Sequence, residues 1–185
     1  MAIQTNLRMT VTEFDEWVER PENYDKLFEF IGGEIVEVPS SPYGSMIAAR
    51  FIGELFGFVD ALKLGYVTGE GGGYTVAGER YIPSAAFISK QRQPELPDLG
   101  YVPNPPDLAV EVDMLPHIDE AQELRFKLVN YLHVGTTVWV VCVQKKQVEV
   151  YQPKLSTKLY GIEDTLDGGD VLPGFTLPLK TIFPE

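Results

Sequence analysis

The first chemical question in the chain is posed by PPDLAVEVDM, Pro105 to Met114. Apart from its acids, the stretch reads as a strand buried on both faces. Glu111 stands where an aliphatic residue would cost less, because an ionised carboxylate in such a place must be paired, hydrogen-bonded or metal-bound. Strand side chains alternate, so Asp107, Ala109, Glu111 and Asp113 share one face while Leu108, Val110 and Val112 share the other. Like charges so close resist joint ionisation. Either this face opens to solvent at the end of the sheet and the carboxylates stay wet, or a divalent cation sits among them.

Lys127 is the second candidate. It lies three residues after Leu124 and one turn before Tyr131, at the border of an apolar helix face. A lysine there can snorkel to water. Beside a metal-bound phosphate, its ammonium could instead orient a water or stabilise developing charge. Histidine and thiol chemistry have little to work with. Only His117 and His133 are present, which counts against a histidine-rich zinc site, and the single cysteine, Cys142, reads as a small buried hydrophobe within TVWVVCV. Any metal would be a hard cation held by carboxylates.

These residues need elements to hold them. Thr10 and Glu13 fit a capping box ahead of a short helix that ends before Pro21, with Phe14 and Trp17 on one face. FEFIGGEIVEVP turns through Gly32-Gly33 into an alternating strand, Glu34 to Val38. From Ser45 to Leu64 the apolar residues recur at helical spacing, and Gly65 closes the helix. YVTGEGGGYTV and AAFISK are two strand candidates joined by glycine-rich turns. A proline-rich loop from Gln91 to Pro106 then leads to the acidic strand. Asp119 to Val134 reads as a second long helix stopped at Gly135, followed by strands in TVWVVCV and QVEVYQP and a tail of turns and short extended pieces. The order implies a mixed α/β (α+β) fold in one domain spanning residues 1–185.

The formal net charge of −12 counts against broad electrostatic attachment to DNA, since lysine and arginine supply most non-specific affinity. Local basic strips are confined to Lys90 with Arg92 and Lys145 with Lys146, which also read as solvated turn charges. The N-terminus has no apolar signal region, and no apolar run approaches the ~20 residues that span a bilayer. The expectation is a soluble, cytoplasmic protein without a membrane partner.

Four blocks in order, FEFIGGEIVEVPSSP, IPSAAFISKQR, PPDLAVEVDMLPHIDEAQELRFKLVNYLHVGTTVWVV and DGGDVLPGFTLPLKTIF, resemble the Uma-type restriction endonucleases, a bacterial branch of the PD-(D/E)XK nuclease superfamily. The resemblance runs from about Thr10 to Phe183. It implies a restriction-endonuclease-like core, a central mixed β-sheet flanked by helices, that cuts DNA with Mg²⁺, Mn²⁺ being the other cation to consider. Sites of that kind pair an aspartate at the end of one strand with a glutamate on the next, and a lysine positions the attacking water. By resemblance, Glu111 is the metal-binding glutamate and Lys127 the lysine. Glu29 is an early carboxylate that helps hold metal or structure.

The chain also departs from the pattern. Ser84 occupies the aspartate position, Met114 stands for a serine, Gly44 and Ser45 lie where a histidine is usual, and Cys142 replaces an aspartate. A neutral hydroxyl is a poor Mg²⁺ ligand. Asp113, where the family is aliphatic, is the candidate for a relocated metal ligand beside Glu111. The resemblance therefore implies a Mg²⁺-dependent DNA endonuclease impaired at Ser84, or a nuclease-fold binding module without activity. DNA binding should be weak and salt-sensitive, and a homodimer would be needed to cut both strands.

Overall fold

The computed structural model describes residues 9–39, 41–114 and 118–184; the N-terminal residues 1–8 and His117 lie outside the described residues. Helix α1 (Val11–Val18) starts with the expected capping box. The Glu13 N–H donates to the Thr10 hydroxyl, and the Thr10 N–H donates to the Glu13 carboxylate at 2.7 Å. Strands β1 (Phe28–Ile31) and β2 (Glu34–Glu37) form a hairpin whose turn holds Gly32 at φ 61° and Gly33 at φ 88°. Both values lie in the left-handed region that primed two-residue turns require and glycine adopts without strain.

Helix α2 (Pro42–Ala61) begins three residues before the apolar periodicity does. Ser41 caps it and Pro42 occupies its first turn, where a missing N–H costs nothing. The glycine-rich stretch that follows does not stay in one sheet. β3 (Gly65–Gly69) pairs with β6 (Ala85–Ser89), while β4 (Tyr74–Val76) leaves to pair with β5 (Glu79–Tyr81), a strand too short and polar to stand out in the sequence. β7 (Leu108–Asp113), α3 (Ile118–His133), β8 (Thr137–Cys142) and β9 (Gln147–Tyr151) follow within a residue or two of their expected bounds. The tail folds as β10 (Lys158–Tyr160) and a β11 (Thr165–Asp167) to β12 (Thr176–Pro178) hairpin.

The central sheet has the order β10-β9-β8-β7-β6-β3. It is mixed: β7 and β8 run parallel, joined by α3 as crossover, and the other neighbours are antiparallel. Ile47, Phe51 and Leu55 of α2 pack on one face against Leu108, Val110 and Trp139, and the tail hairpin adds Leu166 and Leu177 to this core. On the other face lie α3 and a small antiparallel sheet, β2-β1-β5-β4, whose Tyr81 joins Tyr131, Ala109 and Val138. The alternation read from the acidic strand thus separates the two cores. No helix among the described residues is long and apolar enough to cross a membrane.

Candidate active site

Glu111 lies on the α3 side of β7, whose first four residues are buried. Ala85 of β6 faces Val110, so Ser84, one residue earlier, arrives beside Glu111 and Val112. The Val112 N–H donates to the Ser84 hydroxyl at 3.1 Å. The three strand carboxylates do not act together. Asp107, at the far end of β7, accepts from the Ser89 N–H at 2.7 Å and pairs with Arg92 Nε at 3.1 Å. This corrects the possibility of a cation shared by all three. Asp113 remains on the rim of the cleft that contains Glu111.

Lys127 does not snorkel. Its Nζ lies 2.8 Å from Glu29 Oε1 and straddles the Glu111 carboxylate, 2.8 Å from Oε1 and 2.9 Å from Oε2. The three groups are buried, with Lys127 6%, Glu29 7% and Glu111 8% exposed. Glu29, carried by β1, also accepts from the Ile82 N–H at 2.6 Å. One turn along α3 from Lys127, the Tyr131 hydroxyl donates to Glu111 Oε1 at 3.0 Å. The Tyr81 ring lies 5.7 Å from the Lys127 ammonium and meets the Tyr131 ring edge-on at 5.4 Å. Asn130 donates to the Tyr81 hydroxyl at 2.6 Å. Ser84, Glu29, Glu111 and Lys127 therefore converge on one cleft.

Electrostatics follow from burial. Desolvation pushes the Glu111 carboxyl up, Lys127 opposes this and Glu29 adds to it. Burial alone would depress Lys127, but the two carboxylates outweigh it and hold the ammonium above its ordinary range. Tyr131 is raised by burial first and then by Glu111, and Tyr81 is pushed up to about 12 mainly by burial. Lys127 is thus a fixed cation and not a proton acceptor at neutral pH.

The cleft encloses about 790 Å³ above this triad. Sequence reading missed two of its features. The Ile82 N–H that orients Glu29 carries no side-chain signal, and Arg125, exposed two residues before Lys127, lines the cleft as its second cation. Tyr131, four residues after Lys127, shares its partner Glu111, and that spacing is the signal for it. The basic strips fare differently. Arg92 is engaged by Asp107 and the carbonyls of Pro105 and Pro106, and Lys146 donates to the Pro184 carbonyl at 3.2 Å. Lys90 and Lys145 are exposed. Cys142 is half-buried, less enclosed than its apolar run suggested.

Among the described residues, no group of three or more His, Cys, Asp or Glu side chains could hold a metal ion. A cage made by protein alone is therefore absent from them. Mg²⁺, however, commonly takes one or two carboxylates and completes its shell with water and substrate phosphate. Glu111 and Asp113 share one face of β7 and both line the cleft, and Lys127 already engages both oxygens of Glu111.

Comparison with known proteins agrees with this architecture. Residues 11–180 match the Uma2 family, described as "Putative restriction endonuclease". The fold is similar to a crystal structure described as a "putative nuclease" from Anabaena variabilis, with a TM-score of 0.76 at 19% identity over 95% of this chain and 97% of that one. No protein of curated function matches the chain. With the family matched over nearly its whole length, the chain belongs to the Uma2 family.

Proposed function

We propose that this protein is a nuclease that hydrolyses a DNA phosphodiester with the help of a divalent cation, Mg²⁺ or Mn²⁺, recruited together with the substrate. The observation that carries the reading is the buried Lys127 ammonium held between Glu111 and Glu29. Core packing has no need of such a triad, because replacing buried ion pairs by apolar residues is often neutral or stabilising. Its position beneath a cleft points to chemistry.

The residues divide the work. Glu111, with Asp113, would hold the cation, which when bound supplies positive charge against the phosphate oxygens and acidifies an attacking water. Lys127 keeps its charge and lies where it can orient that water or face the charge that builds on the phosphate. Glu29, fixed by the Ile82 N–H, holds Lys127 in place. Tyr131 holds the Glu111 carboxylate at one oxygen.

A second reading, a nuclease-fold binding module without activity, is favoured by Ser84. Its hydroxyl accepts from the Val112 backbone and brings no charge to the position where the family carries aspartate. Incubation of labelled DNA with the protein and Mg²⁺ or Mn²⁺ tests the pair. Cleavage lost in Glu111→Ala and Lys127→Ala supports the nuclease. Absence of cleavage in the wild type, with activity appearing in Ser84→Asp, supports the silent module.

A further inference from the structure

We infer that the cleft takes an unpaired nucleotide strand, with a base lying against its apolar wall, and does not take a stacked duplex. This rests on the nuclease reading of the floor and narrows its substrate. Three observations point the same way.

The reacting groups are deep. Glu111 and Lys127 are 8% and 6% exposed, so a scissile phosphate must descend into the cleft to reach them. At about 790 Å³ the cleft falls within the ~300–1,000 Å³ range that encloses single small ligands. A stacked helix must be bent or kinked to bring a phosphate in, which costs deformation energy. A single strand can bend one phosphate inward.

The wall is wrong for a duplex backbone. Met114, Leu124, Leu128, Val143 and Tyr151 line it, from the end of β7, from α3 and from β9 with the turn before it. Duplex binding draws on many phosphate-neutralising cations. Here Lys127 is already paired with two carboxylates, Arg125 is the other cation lining the cleft among the described residues, and Glu70, Asp113 and Glu123 line it as acids. Apolar and aromatic side chains next to a phosphate site are what an unstacked base needs, since each base brings a π-face whatever its sequence.

The charge is placed for one or two phosphates. Arg125 is exposed on the cleft side of α3, and Lys145 is exposed beside Gln144, itself a cleft residue. Two exposed cations serve a short backbone segment at most. They do not form a track.

Fluorescence anisotropy with end-labelled oligonucleotides tests the inference, using Glu111→Gln so that nothing is cut. The probes are a mixed-sequence single strand in deoxy and ribo forms, its fully paired duplex, and a deoxy strand of abasic sites. The expected result is at least tenfold tighter binding of a single strand than of the duplex. The abasic strand should bind roughly tenfold more weakly than the normal one, and Tyr151→Ala should erase that difference. A cooperative thermal melt of Tyr151→Ala confirms that the wall stays folded. The deoxy and ribo probes tell which strand chemistry the cleft prefers. The salt dependence should be shallow, with a slope near −1.4 for two contacts at ~0.7 per phosphate. A duplex bound as tightly as the single strand, an abasic strand bound as well as the normal one, or no binding of any probe would overturn the inference. Cleavage by wild type is scored separately. Single-strand preference without cleavage removes the nuclease reading and leaves this one standing, and duplex cleavage does the reverse.

Discussion

Replacing Lys127 with methionine keeps most of the side-chain volume and removes the one charge that balances Glu29 and Glu111. In the native protein that ammonium lies 2.8 Å from each carboxylate, with all three groups almost wholly buried. Breaking a buried pair by removing one partner leaves an uncompensated charge and costs about 3–5 kcal/mol. Two carboxylates are left here, so the upper part of that range is expected. With ~2–4 °C per kcal/mol for a chain of this size, a loss of about 4–5 kcal/mol should lower the melting temperature by roughly 8–20 °C. Urea unfolding of wild type and Lys127→Met at several pH values is the assay. In the variant the Glu111 carboxyl, which burial already raises, loses the ammonium that opposes the rise and should bind its proton more tightly when folded than when unfolded. A folded pKa raised above the unfolded value gives stability at low pH that is lost as pH rises, by about 1.36 kcal/mol per pH unit for each proton. The difference between variant and wild type should therefore be largest near pH 8 and shrink towards pH 5. A loss below about 1 kcal/mol at pH 8, or one that stays constant down to pH 5, would falsify the claim that this lysine balances two buried carboxylates.

Other outcomes follow from the same geometry. Glu111→Gln removes the carboxyl that burial raises, so its stability at pH 8 should equal or exceed that of the wild type while cleavage is lost; thermal melts from pH 5 to 9 should also show a flatter decline, because the wild type loses Glu111's contribution as pH rises through its raised folded pKa. Tyr131→Phe deletes a buried hydroxyl that donates to a charged oxygen and should cost about 1.5–3 kcal/mol in chemical denaturation, with a value near zero arguing against that bond. Ser84→Asp should raise Mn²⁺ affinity at least tenfold by calorimetry, and no gain would mean that the cation does not bind beside Glu111. Gly33→Val forces a β-branched side chain to φ 88° and should cost about 1–2 kcal/mol, read from the melting temperature.

The helices and the buried strands of the central sheet were legible in the chain because their signals are local: a capping box at Thr10, apolar periodicity in α2 and α3, and alternation through Leu108 to Asp113. Glu111 was conspicuous for the same reason, as a charge in an apolar strand. What it touches was not legible. Lys127 sits at the edge of a helical face, where turning outward or inward is decided by Glu29, a residue 98 positions away. The fate of the basic strips was hidden in the same way, since Arg92 is claimed by Asp107 across the proline-rich loop. The small sheet was half visible. The β1–β2 turn announced itself through two glycines, while β5 is three residues whose strand character exists only because β1 and β4 lie on either side of it.

Gly44 and Met114, far apart in the chain, meet in space. A Cβ added at Gly44 would lie 3.2 Å from both Cγ and Sδ of Met114 and 3.1 Å from the Ser41 hydroxyl that caps α2. The thioether occupies the room that a side chain at the helix start would use. Changes at the two positions should therefore be coupled. A larger residue at 44 must first displace Met114 or disturb the α2 cap, whereas a small residue at 114 opens the space without penalty at 44. A design that enlarges position 44 should therefore trim position 114 in the same step.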